Sequence, residues 1–146
     1  MHAPARTLAI AVLLGAAGVG QTPNCTLIIH VTGFRDHRGD VGATLFTSPD
    51  GWPENNSKAY VHKPFPIPSD QATLTFDGLP PGRYAVAVMH DENSNHKLDR
   101  NIFGIPKEGF GFANNPRVTV SEPKWEEAAV NVVAPTTEIT IRLIYK

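Results

Sequence analysis

Between His90 and Asp99 the chain reads His-Asp-Glu-Asn-Ser-Asn-His-Lys-Leu-Asp, which sets oxygen-bearing side chains at Asp91, Asn93 and Asn95 and again at Asp99. Such alternation lets a looping backbone turn several side chains toward one centre, the arrangement that wraps a hard divalent cation. Calcium wants roughly six to eight oxygens at ~2.3–2.6 Å, and the side chains of Asp91, Asn93, Asn95 and Asp99 with the Lys97 carbonyl would supply most of them. The run departs from a helix–loop–helix calcium site: its sixth position is His96 instead of Gly, its twelfth is Ile102 instead of a bidentate Glu, and a strand-like segment precedes it. Water or a distant carboxylate such as Glu108 has to complete the shell. With two formal negative charges among the local ligands, the expected affinity is the ~10⁻⁴–10⁻³ M of extracellular modules. Two rival readings stand beside calcium. In one, Asp91, Asn93 and Asn95 form an ion-free polar turn by bonding nearby backbone N–H groups. In the other, His90, His96, Asp91 and Asp99 hold a transition metal, although no third nitrogen or sulfur ligand is close by.

Other chemistry is sparse. The chain has no Gly-x-Ser-x-Gly elbow, no His-Glu-x-x-His, no phosphate-cradling glycine loop and no paired cysteines, so a non-enzymatic role is expected. A hydrolase built on Asp91 or Asp99 with His90 is the weaker alternative. The segment Ile105–Asn115 mixes apolar Ile105, Phe110 and Phe112 with Gly104, Gly109 and Gly111. As a recognition surface it would stack Phe110 or Phe112 on a small ligand or carbohydrate and offer Asn114 and Asn115 for hydrogen bonds, with Trp52 alongside. The plainer expectation is that these aromatics fold inward and cover an open end of the domain. Trp52 and Trp125 face the same choice, since a buried indole N–H needs a partner. Cys25, the one cysteine, is expected to act as a small apolar residue.

These residues need a scaffold, and the chain describes a small exported one. Met1–Arg6 is weakly basic, Leu8–Leu14 is apolar and Gly15–Gly20 is small, the order of a secretory signal peptide over residues 1–20. The apolar run is shorter than the ~20 residues that span a bilayer, so no transmembrane anchor is expected. Beyond Gly20 lie 126 residues, enough for one domain over 25–146, with 12 basic and 14 acidic side chains because Arg6 is the only charged residue of the leader. No basic stripe invites nucleic acid. The expected location is periplasmic or extracellular, with a protein or ligand of that compartment as partner.

The dominant period is two. Leu27, Ile29 and Val31 alternate with Ile28, His30 and Thr32, and Val41, Ala43 and Leu45 alternate with Gly42, Thr44 and Phe46, which reads as a β-hairpin across the turn-rich Arg35–Asp40. Further strands are expected near Ala59–Lys63, Ala72–Phe76, Arg83–Met89, Arg117–Val120, Ala128–Val133 and Glu138–Tyr145. About eight short strands punctuated by 13 prolines and 12 glycines predict an all-β, antiparallel two-sheet sandwich of immunoglobulin-like or transthyretin-like type. Arg83–Met89 is apolar on both faces, the mark of a central strand. Pro64-Phe65-Pro66-Ile67-Pro68 is expected to run extended along a sheet edge.

The run from Gly78-Leu79-Pro80-Pro81-Gly82 through Asp99, continued by Gly104–Asn115, closely resembles the bacterial secreted family catalogued as domain of unknown function 2141. Gly33, Gly39 and Leu45-Phe46-Thr47-Ser48-Pro49-Asp50-Gly51-Trp52-Pro53 resemble the same family, so that the likeness spans about residues 25 to 145. It implies export and a prealbumin-like or immunoglobulin-like sandwich, with no established activity; His96 departs from the Gly that members often carry. The sequence thus predicts an exported β-sandwich with a structural calcium loop at Asp91–Asp99 and a protein or envelope partner. Its alternative is a small-ligand or carbohydrate-binding module built around residues 104–115.

Overall fold

The computed structural model describes residues 20–146, so the expected leader lies outside the described residues except for Gly20. Eight strands form two sheets: β1 (Cys25–Thr32), β2 (Asp40–Phe46), β3 (Val61–Phe65), β4 (Gln71–Leu79), β5 (Gly82–Asp91), β6 (Gly109–Phe112), β7 (Ala129–Val132) and β8 (Thr136–Arg142). Two single 3₁₀ turns, Asn56–Lys58 and Trp125–Ala128, are the only helical pieces among the described residues. None of the helices there is long and apolar enough to cross a membrane.

The smaller sheet has the order β4-β1-β8. Along β1 burial alternates strictly, with Cys25, Leu27, Ile29 and Val31 inside. Ala72, Leu74 and Phe76 of β4 and Ile141 of β8 share that inner face, which meets Val41, Ala43, Leu45, Tyr84, Val86 and Val88 of the larger sheet in one core. The larger sheet runs β3-β2-β5-β6, with β7 also pairing β5. On its inner face Tyr84 also closes the turn before β5, since its hydroxyl donates to the Pro80 carbonyl at 2.7 Å.

Strand β5 is paired along both edges, to β2 on one side and to β6 and β7 on the other. Its Tyr84, Val86 and Val88 face the shared core, whereas Ala85 and Ala87 belong to a second apolar cluster on the outer face with Phe110, Phe112 and Ala128. Trp52, Leu98 and Trp125 close over that cluster. Each indole finds an acceptor: Trp52 Nε1 donates to the Pro123 carbonyl at 2.8 Å and Trp125 Nε1 to the Phe46 carbonyl at 3.1 Å. Both tryptophans are lids.

Several expectations need correction. β1 and β2 do not form a hairpin. β1 lies between β4 and β8, β2 lies between β3 and β5, and the link between them crosses from one sheet to the other. Alternation says that each strand has one apolar face, and that is satisfied equally by neighbours in one sheet and by partners across a core. Nor is the sandwich wholly antiparallel, because β1 pairs β8 in parallel from Thr26↔Thr136 to Thr32↔Arg142. Arg117–Val120 forms no strand; Val120 is 98% exposed and the Lys146 ammonium donates to the Val118 and Thr119 carbonyls. Gly109–Phe112, where no strand was expected, instead pairs with β5 as β6. A Cβ on Gly109 would stand 2.5 Å from the Tyr145 ring and one on Gly111 2.7 Å from Ile141, so glycine is what lets this short strand lie under the chain end.

Gly39 ties β2 to the end of β5. Its φ is +69°, and a Cβ there would overlap the Asp91 carbonyl, whereas Gly78, at φ +71°, has nothing within 4 Å. Gly39→Ala is expected to cost about 3 kcal/mol or more and Gly78→Ala about 1 kcal/mol, read from urea denaturation of both variants. Equal costs would show that the close approach at Gly39 has no energetic weight.

Candidate functional site

The loop after β5 begins where that strand's alternation ends. His90 and Asp91 are both fully buried, and as consecutive strand residues they point to opposite faces. His90 lies edge-on to Phe34, with ring centroids 5.2 Å apart. Its Nε2–H donates to the Arg38 carbonyl at 2.8 Å, and the Tyr145 hydroxyl donates to Nδ1 at 2.8 Å while accepting from the Arg35 N–H at 3.2 Å. With both ring nitrogens engaged away from the loop carboxylates, His90 is not placed to join Asp91, Asp99 and His96 around a metal.

Asp91 organises the loop. Its Oδ1 accepts from the Asn95 N–H at 3.1 Å and its Oδ2 from the His96 N–H at 2.7 Å. To present that N–H, His96 adopts φ +62°, the left-handed conformation in which glycine is strain-free. The turn therefore forms with His in the glycine place. Asn93 Oδ1 accepts from Asn95 N–H and Asn95 Oδ1 from Lys97 N–H, while the amide nitrogens of Asn93 and Asn95 donate to the two oxygens of Asp99 at 2.7 and 2.9 Å. Those two bonds hold the Asp99 carboxyl below the ordinary carboxylate pKa. Asp91, Asn93, Asn95 and Asp99 thus converge, and Lys97 contributes a backbone N–H to the same turn.

Glu108 completes the arrangement from outside the run. It is 3% exposed, and its two oxygens accept the Glu92 and Asp99 N–H groups at 3.0 Å each, clamping both ends of the loop. Burial pushes its carboxyl above the ordinary value, outweighing those two N–H bonds, and Asp99 and Asp91 add to the rise. Beside the clamp, Arg35 forms a bidentate pair with Glu92 at 2.6 Å, and Arg38 binds Asp36. The Arg38 guanidinium lowers the Asp36 carboxyl to about 2, and Arg35 lowers that of Glu92. Asp36, His90 and Glu92 lie within 4.8 Å of one another. Each carboxylate already holds a guanidinium, so the group works as a bolt between the β1–β2 link and the end of β5.

The aromatic segment lies next to this loop. Phe110 and Phe112 are buried, 7% and 6% exposed, with ring centroids 5.9 Å apart, and they form one wall of a cavity of about 320 Å³. Its floor is Gly42, Thr44, Ala87 and Met89, and its opposite rim holds His62, Asn56, His96 and Lys97. Trp52 contacts this wall through Phe112, with centroids 5.6 Å apart. Asn114 is engaged elsewhere, donating to the Glu127 and Ala129 carbonyls. The sequence reading did not single out His62, Thr44 or Gly42. Their one signal was the row of small or polar residues on the outer face of β2, which leaves room above the sheet.

Glu108→Ala is expected to destabilise the chain by about 2–4 kcal/mol, because it strands two backbone N–H groups that are tied down at a loop base; urea denaturation measures it. The acid response follows from the ion pairs. Glu92 and Asp36 titrate below their ordinary values of 4.5 and 3.8 when folded, so the unfolded chain takes up protons first and stability falls as pH drops from about 4.5 toward 2. Thermal midpoints across that window should decline in the parent, and less steeply in Arg35→Gln, whose plateau is lower.

No curated protein matches the chain, and no solved structure does. A family model described as an uncharacterized protein conserved in bacteria (DUF2141) matches residues 29–140. That span runs from β1 to β8 and takes in the 91–99 loop, the Glu108 clamp and the cavity, so the chain belongs to this bacterial family of uncharacterised domains.

Proposed function

We propose that the chain is an exported, non-enzymatic β-sandwich module of immunoglobulin-like type, in which calcium bound at the Asp91–Asp99 loop stiffens a surface presented to a protein or envelope partner. The observation that supports partner binding best is where the apolar residues emerge. Ile102 and Phe103 are 93% and 80% exposed, directly after Asp99, and Ile105 is 44% exposed. Phe103 and Ile105 also share one surface hollow with Val118 and Val120. Large apolar side chains gathered on one loop tip are unfavourable in water and mark interaction surfaces. The Tyr84 hydroxyl bond to the Pro80 carbonyl is the kind of tie found at strand corners of immunoglobulin-like sandwiches.

For calcium, the donor set is the support. Asp91, Asp99 and Glu108 offer hard carboxylate oxygens, two of the three are buried, and no cationic side chain hydrogen-bonds to the Asp99 or Glu108 carboxylate among the described residues. The amide nitrogens of Asn93 and Asn95 now supply the positive end of a dipole at Asp99; rotation of each amide would offer an oxygen instead. A second reading, a small-ligand module, draws on the cavity walled by Phe110 and Phe112.

Calcium titrated calorimetrically into chelator-treated protein should give saturable heat near millimolar concentration. At 10 mM it should raise stability by about 1–1.5 kcal/mol for a dissociation constant of about 1 mM. Asp99→Ala should abolish both effects while keeping the fold, since Asp99 accepts only from the two asparagine amides and carries its clamp bond on its backbone. Absence of heat and of any rise in melting temperature up to 10 mM would sink the calcium assignment.

A further inference from the structure

We infer that the cavity on the outer face of the larger sheet binds a small aromatic or short-acyl carboxylate; this rests on the small-ligand reading and names its chemistry. The cavity exists because of what two strands leave out. Gly42 on β2 has no side chain, Ala87 on β5 has a short one, and Thr44 is short and buried, so a hollow of about 320 Å³ remains beneath the lids. That is at the small end of ligand-sized pockets and corresponds to roughly ten to fifteen non-hydrogen atoms. Phe110, Phe112, Met89 and Leu98 make one side apolar, suited to a ring or a short chain.

The opposite side is polar. His62 sits with Cε1 and Nε2 3.2 and 3.9 Å from where a Gly42 Cβ would stand, so this ring edge lies over the cavity floor. Its other nitrogen, Nδ1, is 2.8 Å from the Thr44 hydroxyl, whereas Asn56 Oδ1 is 3.5 Å from the same hydroxyl. Nδ1 is thus engaged with Thr44, and Nε2 is the ring nitrogen left facing the cavity. Among the described residues that nitrogen has no hydrogen-bond partner, and Lys97 at the rim has no ion pair. Glu54, the one acid in the lining, is already paired with Arg100. An apolar slot lined at its polar end by a free imidazole nitrogen and the unpaired Lys97 ammonium favours an oxygen with negative charge, which is a carboxylate at the end of a flat or narrow apolar body.

The test is a titration of the full chain beyond the leader with 3-phenylpropionate, its neutral amide and N-acetylglucosamine, followed by amide chemical shifts in NMR. The expected result is saturable binding of the carboxylate, with shifts around Gly42, His62 and Phe112. Ala87→Leu, which fills the floor, should abolish it with the melting temperature as a check on folding. Lys97→Gln, a surface change, should weaken it roughly tenfold, the worth of one charged hydrogen bond, and Lys97→Arg should restore most of the affinity. If the amide or the sugar binds as tightly as the carboxylate and Ala87→Leu abolishes that binding, the pocket stands and the carboxylate assignment is overturned. Failure of all three probes to saturate at 5 mM overturns the assignment and the small-ligand reading together.

Discussion

A strand that is apolar on both faces has to be covered twice, and in this domain only one cover is a sheet. The inner face of β5 meets the smaller sheet in the shared core. Among the described residues the outer face has no third layer, and it is covered with pieces of loop: Trp52 from the segment after β2, Leu98 from the loop after β5, and Trp125 from the 3₁₀ turn before β7. That requirement explains why so much of the chain is irregular yet well packed, and why each indole is anchored to a backbone carbonyl. Coverage by loops is also imperfect coverage. Where the lids fall short of the small residues at Gly42 and Ala87, a cavity is left beside the 91–99 turn.

The electrostatics of that turn are uneven in an informative way. Asp91 receives two backbone N–H bonds and Asp99 two amide N–H bonds, and for Asp99 the hydrogen bonds win over desolvation and lower its pKa. For Glu108 the balance reverses, with burial the largest effect despite two backbone N–H bonds. The difference from Glu92 is instructive. Glu92 lies in the same chain turn but holds the Arg35 guanidinium, and its pKa falls. Neutral donors orient a carboxylate well but offset only part of the cost of removing its charge from water. Glu108 is therefore held in position with its charge only partly compensated.

How much of this was legible depends on whether the signal was local. Alternation in β1, β2 and β4 and the double-sided apolarity of β5 could be read because side-chain direction repeats every two residues. The spacing of Asp91, Asn93, Asn95 and Asp99 also located four side chains that do converge, and Glu108, named only as one carboxylate that could complete an ion shell, meets the loop through the Glu92 and Asp99 N–H groups. Pairing was not legible, since a one-faced strand does not encode which neighbour it takes; the supposed hairpin of β1 and β2 and the parallel β1–β8 pair show it. β6 was hidden for the opposite reason. Its glycines weaken every strand signal, and they are required only because Tyr145 and Ile141, distant in sequence, press against them. The cavity was illegible because Gly42, Thr44, His62 and Ala87 meet only after three strands have paired.

The parallel pairing of β1 with β8 places the first strand of the domain at the centre of the smaller sheet and gives one of its edges to the last. Until β8 has been made, the edge of β1 from Thr26 to Thr32 lacks a partner for the backbone groups that point to that side, on a strand whose inner face is apolar. Such an edge is a template for any passing strand, including β8 of another copy. Closing this seam is the strand pairing of greatest sequence separation in the domain, and pairing of that kind is intrinsically slow.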